Sequence, residues 1–184
     1  MIINNKMESI KKINELGLNK FPEQLFRENE QAKVKEFLDK YPAKYYAIRD
    51  RSKAGGIFKL KVALDDVLAE IRGYQLFTIN VSSANYVENQ ILVGEIQILS
   101  NGEVYATLSV DQSASVRDAL KYPTFNLKTD IFDKKLNKIP YFDLIYQYIV
   151  SHNLQNVIVE FALFNKEVGI KKEKVIVYEL RTHY

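Results

Sequence analysis

Cysteine and tryptophan are absent from the 184 residues, and only two histidines are present. Without cysteine the chain can form no disulfide bond, no thiolate zinc site and no cysteine nucleophile. His152 and His183 are too few and too far apart to suggest a histidine metal site. No apolar run approaches the roughly 20 residues that cross a bilayer, and the start of the chain shows no signal-peptide pattern. We therefore expect a cytoplasmic protein without a membrane partner.

The chain also has no large excess of positive or negative charge. The chain has 26 basic and 23 acidic residues, a net charge of +3, and 47% of its residues are hydrophobic. This balance is that of a globular protein with one core or two small lobes. It argues against a polybasic, non-specific nucleic-acid binder, although a local basic site remains compatible with it.

The stretch Tyr45–Val62 combines a strand pattern with a basic, flexible run. Tyr45–Ile48 is apolar, and alternation returns from Phe58 to Val62, which predicts a β-hairpin. The loop between them carries two arginines and two adjacent glycines, which allow backbone N–H groups to surround an anion. A phosphate would suit this loop, and an ordinary solvated turn with basic residues is the alternative. The candidate phosphate contacts are Arg49, Ser52, Lys53, Gly55 and Gly56.

The remaining patterns predict an α+β fold with antiparallel strands. An Asn101-Gly102 turn indicates a hairpin between two of these strands. Residues 111–138 lack clear periodicity and are expected to form a long loop or lid. The predicted helices are Ile2–Leu16, a segment from Pro22 to Leu38, Leu64–Ile71 and Pro140–His152; the other predicted strands are Gln75–Val81, Ile91–Leu99, Glu103–Val110, Asn156–Phe164 and Val175–Arg181.

Two acidic residues interrupt the last two apolar strands. A carboxylate in a buried strand is costly unless it is paired or bound to a metal. If the strands lie side by side, Glu160 and Glu179 share one face, and paired carboxylates suit Mg²⁺. The alternative is that both glutamates face solvent or pair with lysine or arginine.

The order of predicted strands, loops and helices from Tyr45 to Tyr184 resembles that of the ATP-grasp superfamily. Within it, the order is most like that of the nucleotide-binding domain of phosphoenolpyruvate synthase and pyruvate phosphate dikinase. Arg49 in AIRDRSKAGG resembles an arginine that contacts nucleotide phosphates in that group. Glu160 in VEFALF, and Glu179 with Arg181 in ELR, resemble its closing acidic residues and arginine. Lys59 or Lys61 matches a strand lysine common in ATP-grasp proteins. The region 86–95, ending at Glu95, corresponds to a segment that contacts adenine and ribose.

The resemblance implies an ATP-grasp-like fold, with antiparallel sheets flanked by helices. A short N-terminal helical segment, residues 1–41, would precede a nucleotide-binding module, residues 42–184, with lobes of about 42–80 and 81–184. The implied function is Mg-ATP-dependent phosphoryl transfer, of kinase or ligase type, to an unknown acceptor. Arg49 and Lys59 or Lys61 would neutralise ATP phosphates, while Glu160 and Glu179 hold Mg²⁺. Arg181 would stabilise charge on the transferred phosphoryl group.

Two other functions fit the sequence. The chain could be a non-enzymatic interaction protein whose partner surface includes the tyrosines Tyr122, Tyr141, Tyr146 and Tyr148. It could also bind RNA through the basic loop 49–53 and nearby aromatic residues, with a steep dependence of affinity on salt.

Overall fold

The structure, a computed structural model, describes residues 2–3, 5–52 and 56–182. The α+β arrangement of antiparallel sheets and helices predicted from the sequence is confirmed. No helix in the described part of the chain is long and apolar enough to cross a membrane. The helices are α1 (Lys6–Glu15), α2 (Gln31–Lys40), α3 (Val67–Glu70), α4 (Val116–Lys121) and α5 (Phe142–Ser151); the strands are β1 (Glu23–Arg27), β2 (Tyr45–Asp50), β3 (Phe58–Ala63), β4 (Leu76–Val81), β5 (Gln90–Ile98), β6 (Glu103–Ser109), β7 (Phe125–Asp130), β8 (Ile158–Val168) and β9 (Glu173–Arg181).

The chain forms two compact units. The smaller unit is Phe21–Val87, and the larger unit combines Met1–Lys20 with Glu88–Tyr184. These boundaries differ from those predicted at residues 41 and 80: α1 belongs to the larger unit, whereas α2 belongs to the smaller one.

The smaller unit is an antiparallel sheet in the order β1-β4-β2-β3, with α2 and α3 as its helices. Its core is aromatic: the Phe26 ring lies 5.8 Å from the rings of both Phe37 and Phe77. Tyr46 is fully buried and its hydroxyl donates to the carbonyl of Tyr41, just after α2. Burial of these rings, together with the aliphatic side chains around them, stabilises this unit.

The larger unit contains a five-stranded antiparallel sheet in the order β7-β6-β5-β8-β9. The predicted Asn101-Gly102 turn joins β5 to β6, and Gly102 adopts φ 95° there. Ile145 and Ile149 of α5 belong to the same buried apolar cluster as the alternate β5 residues Leu92 and Ile96. One face of the sheet therefore forms the core, and the side chains between these positions lie on the opposite face.

Helix α1 is attached to the last strand. Its N-terminus is capped by Asn5, whose side chain accepts from the N–H of Glu8. The buried Ser9 hydroxyl accepts from the N–H of Leu180 at 2.8 Å, and this bond places α1 against β9. Gly17, with φ 61°, follows the helix as predicted.

Asn19 joins the segment after α1 to the β8–β9 hairpin. Its side chain is fully buried, and its Nδ2 donates to the carbonyls of Val168 and Val175 at 2.9 Å each. Its Oδ1 accepts from the N–H of Lys171 at 2.8 Å. With a longer contact from Nδ2 to the carbonyl of Glu173, at 3.3 Å, this one amide binds four backbone groups of the hairpin that brings Glu160 and Glu179 together.

The helix predicted to start near Pro22 is wrong over its first part. Glu23–Arg27 is the strand β1, which pairs with Leu76–Asn80 of β4. The later part, predicted from Gln31 to Leu38, is confirmed as α2. Pairing with a strand about fifty residues later overrides the local helical features of Pro22 and Glu23.

The loop or lid predicted over residues 111–138 is also wrong, because most of it has regular structure. Helix α4 begins at a capping box in which Ser115 and Asp118 exchange side-chain and backbone hydrogen bonds. Strand β7 then pairs with β6, and a 3-10 helix, Lys134–Lys138, precedes α5.

Candidate functional site

Three glutamates line up across neighbouring strands of the larger unit. In the register of the sheet, Glu95 of β5 is opposite Glu160 of β8, and Glu160 is opposite Glu179 of β9. Directly opposite residues in antiparallel strands project from the same face. The predicted juxtaposition of Glu160 and Glu179 is therefore confirmed, and Glu95 extends it to a row of three carboxylates, called the acid row below.

Two cations contact the acid row. The Arg181 guanidinium donates to Glu95 through Nη2, and the same nitrogen lies 2.9 Å from Oε1 of Glu160. Lys6, at the start of α1, places Nζ 3.0 Å from Oε2 of Glu179. Among the residues that the structure describes, three carboxylates face two cations, which leaves one formal negative charge in the cluster.

Burial sets the electrostatics of this cluster. The exposed fractions of the side chains are 7% for Glu95 and 18% for Glu160. Burial raises the pKa of Glu160, and the neighbouring charge of Glu179 raises it further, while Arg181 and Lys6 oppose the shift. The carboxylate of Glu160 is thus ionised at a cost that an added positive charge would reduce.

Replacing Glu160 with glutamine tests this description through the pH dependence of stability. An acid with a raised pKa in the folded state binds its proton more tightly when folded. Folding of the wild type is therefore favoured as the pH falls through that pKa, and the full gain is present below the unfolded value of about 4.3. We expect the free energy of unfolding of Glu160→Gln, relative to wild type, to be higher at about pH 8 than at about pH 4.5.

Urea unfolding of both proteins across this pH range measures the difference. Glu167→Gln, at an exposed position on the same strand β8, is the control for loss of a carboxylate. A relative stability of Glu160→Gln that falls as the pH rises would contradict the raised pKa.

The acid row fits a magnesium ion only in part. Among the described residues, no group of three or more histidine, aspartate or glutamate side chains is arranged to hold a metal. Mg²⁺, however, commonly takes one or two protein carboxylates and completes its shell with waters and substrate phosphates. The adjacent Glu160 and Glu179, with the raised pKa of Glu160, are compatible with that smaller role.

The basic residues predicted to contact phosphate on β2 and β3 belong to the smaller unit. The Arg49 guanidinium lies 4.5 Å from the centre of the Phe58 ring. Lys59 forms an ion pair with Glu70 at 2.7 Å. Lys61 places its Nζ 4.8 Å from the centre of the Tyr45 ring. These side chains have intramolecular partners, which a nucleotide would have to replace or share.

The loop predicted to hold a phosphate is partly tied to its own unit. The N–H of Ser52 donates to Asp50, and the N–H of Leu76 donates to the Ser52 hydroxyl at 3.2 Å. A Cβ added at Gly56 would lie 2.5 Å from the carbonyl oxygen of Asp50, so glycine is required for this close approach. Lys53 and Gly55 lie outside the described residues.

Two features of the site were not found from the sequence. Lys6 contacts Glu179 across most of the chain, and nothing distinguishes it locally from the other lysines of α1. The role of Glu95 at adenine and ribose stays a prediction, and its position beside Glu160 depends on the register between β5 and β8. The alternation of Glu95 with apolar neighbours was the one available signal.

The predicted tyrosine surface is only half correct. Tyr122 and Tyr141 are exposed, at 69% and 58%. Tyr146 and Tyr148 are instead partly buried and pack against the core of the larger unit. This burial raises the pKa of Tyr148 to about 12.

No protein-family model and no curated protein matches the sequence. Among solved structures, the fold is similar to that of the macrocyclase MdnC bound with precursor peptide MdnA from Microcystis aeruginosa MRC, at 13% identity and a TM-score of 0.51, over 98% of this chain and 51% of that chain. The ADP complex of purK, an N5-carboxyaminoimidazole ribonucleotide synthetase, matches at 10% identity and a TM-score of 0.48, over 98% and 45%. VanG D-Ala:D-Ser ligase from Enterococcus faecalis matches at 14% identity and a TM-score of 0.48, over 96% and 51%.

The similarity to MdnC agrees with the expected ATP-grasp-like fold class, with antiparallel sheets flanked by helices. This chain spans about half the length of the three similar proteins, at 51%, 45% and 51% of their chains.

Proposed function

We propose that the chain is a Mg-ATP-binding module of the ATP-grasp type, used for phosphoryl transfer of the ligase kind. The observation that carries this proposal is the acid row, with Arg181 beside it, on neighbouring strands of a sheet in an ATP-grasp-like fold. A cluster of buried acids with an excess negative charge and a perturbed pKa is a common property of functional sites.

The metal would be held by Glu160 and Glu179. When bound, Mg²⁺ would neutralise negative charge on the nucleotide phosphates. Glu179 would exchange its contact with Lys6 for the metal, while Arg181 keeps Glu95 and Glu160 in position. Arg181 would also stabilise charge on a transferred phosphoryl group.

In the smaller unit, Arg49 and Lys59 or Lys61 are proposed phosphate contacts, and Ser52 and Gly56 would shape the adjoining loop. For Lys59 this role requires release from Glu70. The arginine on β2 and the Glu179-Leu180-Arg181 ending support placement near the phosphoenolpyruvate synthase group within the superfamily. The acceptor would be a carboxylate, which takes the γ-phosphoryl group of ATP and releases ADP.

A non-enzymatic interaction protein is the second candidate. Arg181 and Lys6 already neutralise most of the acid row, as expected if these glutamates serve only to stabilise the sheet. This alternative predicts no Mg-dependent nucleotide binding. The RNA-binding alternative would use the same basic loop, and the net charge of only +3 argues against it.

Thermal unfolding with and without Mg-ATP distinguishes these candidates. Ligand at about 100 times its dissociation constant stabilises a folded protein by about 2.7 kcal/mol, which is several degrees for a chain of this length. We expect this rise in the wild type and in the exposed control Glu167→Gln, and its loss in Glu179→Gln. An equal rise in unfolding temperature in all three proteins would show that the acid row is not part of the nucleotide site. No rise in the wild type would favour the interaction protein.

A further inference from the structure

Strand β3 is an edge strand with an unusual number of exposed apolar side chains. In the described part of the chain it pairs with β2 alone. The exposed fractions are 48% for Phe58 and 39% for Leu60, and Ile57, just before the strand, is 52% exposed. A strand with one neighbour leaves a row of backbone groups available for pairing with another chain.

Lysines commonly protect such edges, but both lysines of β3 bind groups within their own unit. Lys59 contacts Glu70, and Lys61 lies over the ring of Tyr45. Lys44 lies 5.1 Å from the same ring, so two ammonium groups flank one tyrosine beside the edge. Lys59 is compensated by Glu70, so the positive charge beside the apolar edge is that of Lys61 and Lys44.

A second copy of the chain is a poor match for this edge. Antiparallel pairing of β3 with itself, centred on Leu60, would set Lys59 opposite Lys61. Like charges directly opposite one another destabilise strand pairs. A segment that places negative charge near Lys61 and Lys44 and apolar side chains near Phe58 and Leu60 fits this edge better than a second copy does.

We propose that β3 binds an extended, acidic segment of another protein, in which acidic and apolar residues alternate. The segment adds to the sheet as a fifth strand next to β3. Backbone hydrogen bonds provide affinity, while acids near Lys61 and Lys44 and apolar residues near Phe58 and Leu60 provide selectivity. The binding tests below are made without nucleotide, because Lys59 and Lys61 of β3 are also proposed phosphate contacts.

A fluorescent, N-acetylated peptide of alternating glutamate and valine, about eight residues long to match a strand, is the probe. Fluorescence anisotropy measures its affinity for the wild type. We expect Lys61→Glu to weaken binding by about tenfold or more, because it places like charges across the new strand pair.

Lys128→Glu is the matched control. Lys128 lies on the edge strand β7 of the other sheet, with Nζ 5.2 Å from the centre of the Tyr105 ring on β6, as Lys61 lies over Tyr45 on β2. This variant is expected to bind the probe like the wild type. Equal weakening in both variants would overturn the proposal, since it would show only a general attraction of charge.

Two further peptides test the binding mode on the wild-type protein itself. Methylation of alternate backbone amides removes the donors needed for strand addition, and we expect it to abolish binding. Replacement of the peptide's glutamates by lysine should also abolish binding, because the peptide would then carry the same charge as Lys61 and Lys44. Binding of either peptide at the affinity of the probe would overturn the proposal, as would failure of the probe to bind or self-association of the wild type through β3 in sedimentation.

Discussion

Replacing Asn19 with alanine is expected to lower the free energy of unfolding by about 3 to 5 kcal/mol. The side-chain amide is fully buried and binds three carbonyls and one N–H of the β8–β9 hairpin. Alanine would leave the buried carbonyls of Val168 and Val175 without this donor, at about 1 to 3 kcal/mol each before relaxation, and would also remove the part-buried bond to Lys171. Chemical denaturation of wild type and variant measures the loss directly.

Asn126→Ala is the control, because Asn126 is exposed on the edge strand β7. Exposed substitutions away from special features change stability by about 0.5 kcal/mol or less. If Asn19→Ala cost no more than Asn126→Ala, the hairpin would not depend on this amide, and the positions of Glu160 and Glu179 would need another explanation.

Replacing Arg181 with methionine is expected to cost about 3 kcal/mol at neutral pH. Methionine keeps much of the side-chain length but leaves Glu95 and Glu160 without the guanidinium that contacts both. Breaking a buried ion pair from one side costs about 3 to 5 kcal/mol, and the lower value applies because 28% of the Arg181 side chain is exposed.

The loss should shrink when Glu95 and Glu160 are also changed to glutamine, because the uncompensated charge is then absent. Lys6→Met is the comparison for an exposed pair, since 42% of the Lys6 side chain is exposed, and we expect it to cost about 1 kcal/mol or less. A triple variant no more stable than Arg181→Met would show that Arg181 acts through packing instead of charge.

The parts of the fold that sequence patterns predicted are those governed by nearby residues. The Asn101-Gly102 turn requires left-handed backbone that glycine adopts readily, so the β5–β6 hairpin could be predicted with no knowledge of the rest of the chain. The same holds for α5, whose apolar positions repeat at helical spacing.

The errors have two causes. The strand β1 owes its structure to pairing with β4, far along the chain, and no local feature of Glu23–Arg27 specifies that partner. Over residues 111–138 the signals were present but missed: Ser115 and Asp118 form a capping box, and Phe125, Leu127 and Thr129 alternate with exposed residues along β7.

The candidate site likewise has one part that the sequence predicted and one part that it did not. Glu160 and Glu179 could be placed together because a single hairpin connects their strands. Glu95 and Lys6 reach the same cluster through contacts between distant parts of the chain, which depend on sheet register and on the docking of α1. The sequence therefore indicated a pair of acids, whereas the structure contains three acids and two cations.

Calorimetric titration of the wild type with ATP, in Mg²⁺ and again in excess chelator, is the most direct test of the proposed function. The account predicts saturable binding in Mg²⁺ that weakens by at least about tenfold, a difference of about 1.4 kcal/mol, in chelator and in Glu160→Gln. Absence of binding, or binding that is unchanged by chelator and by Glu160→Gln, would contradict the assignment of the acid row to a Mg-ATP site.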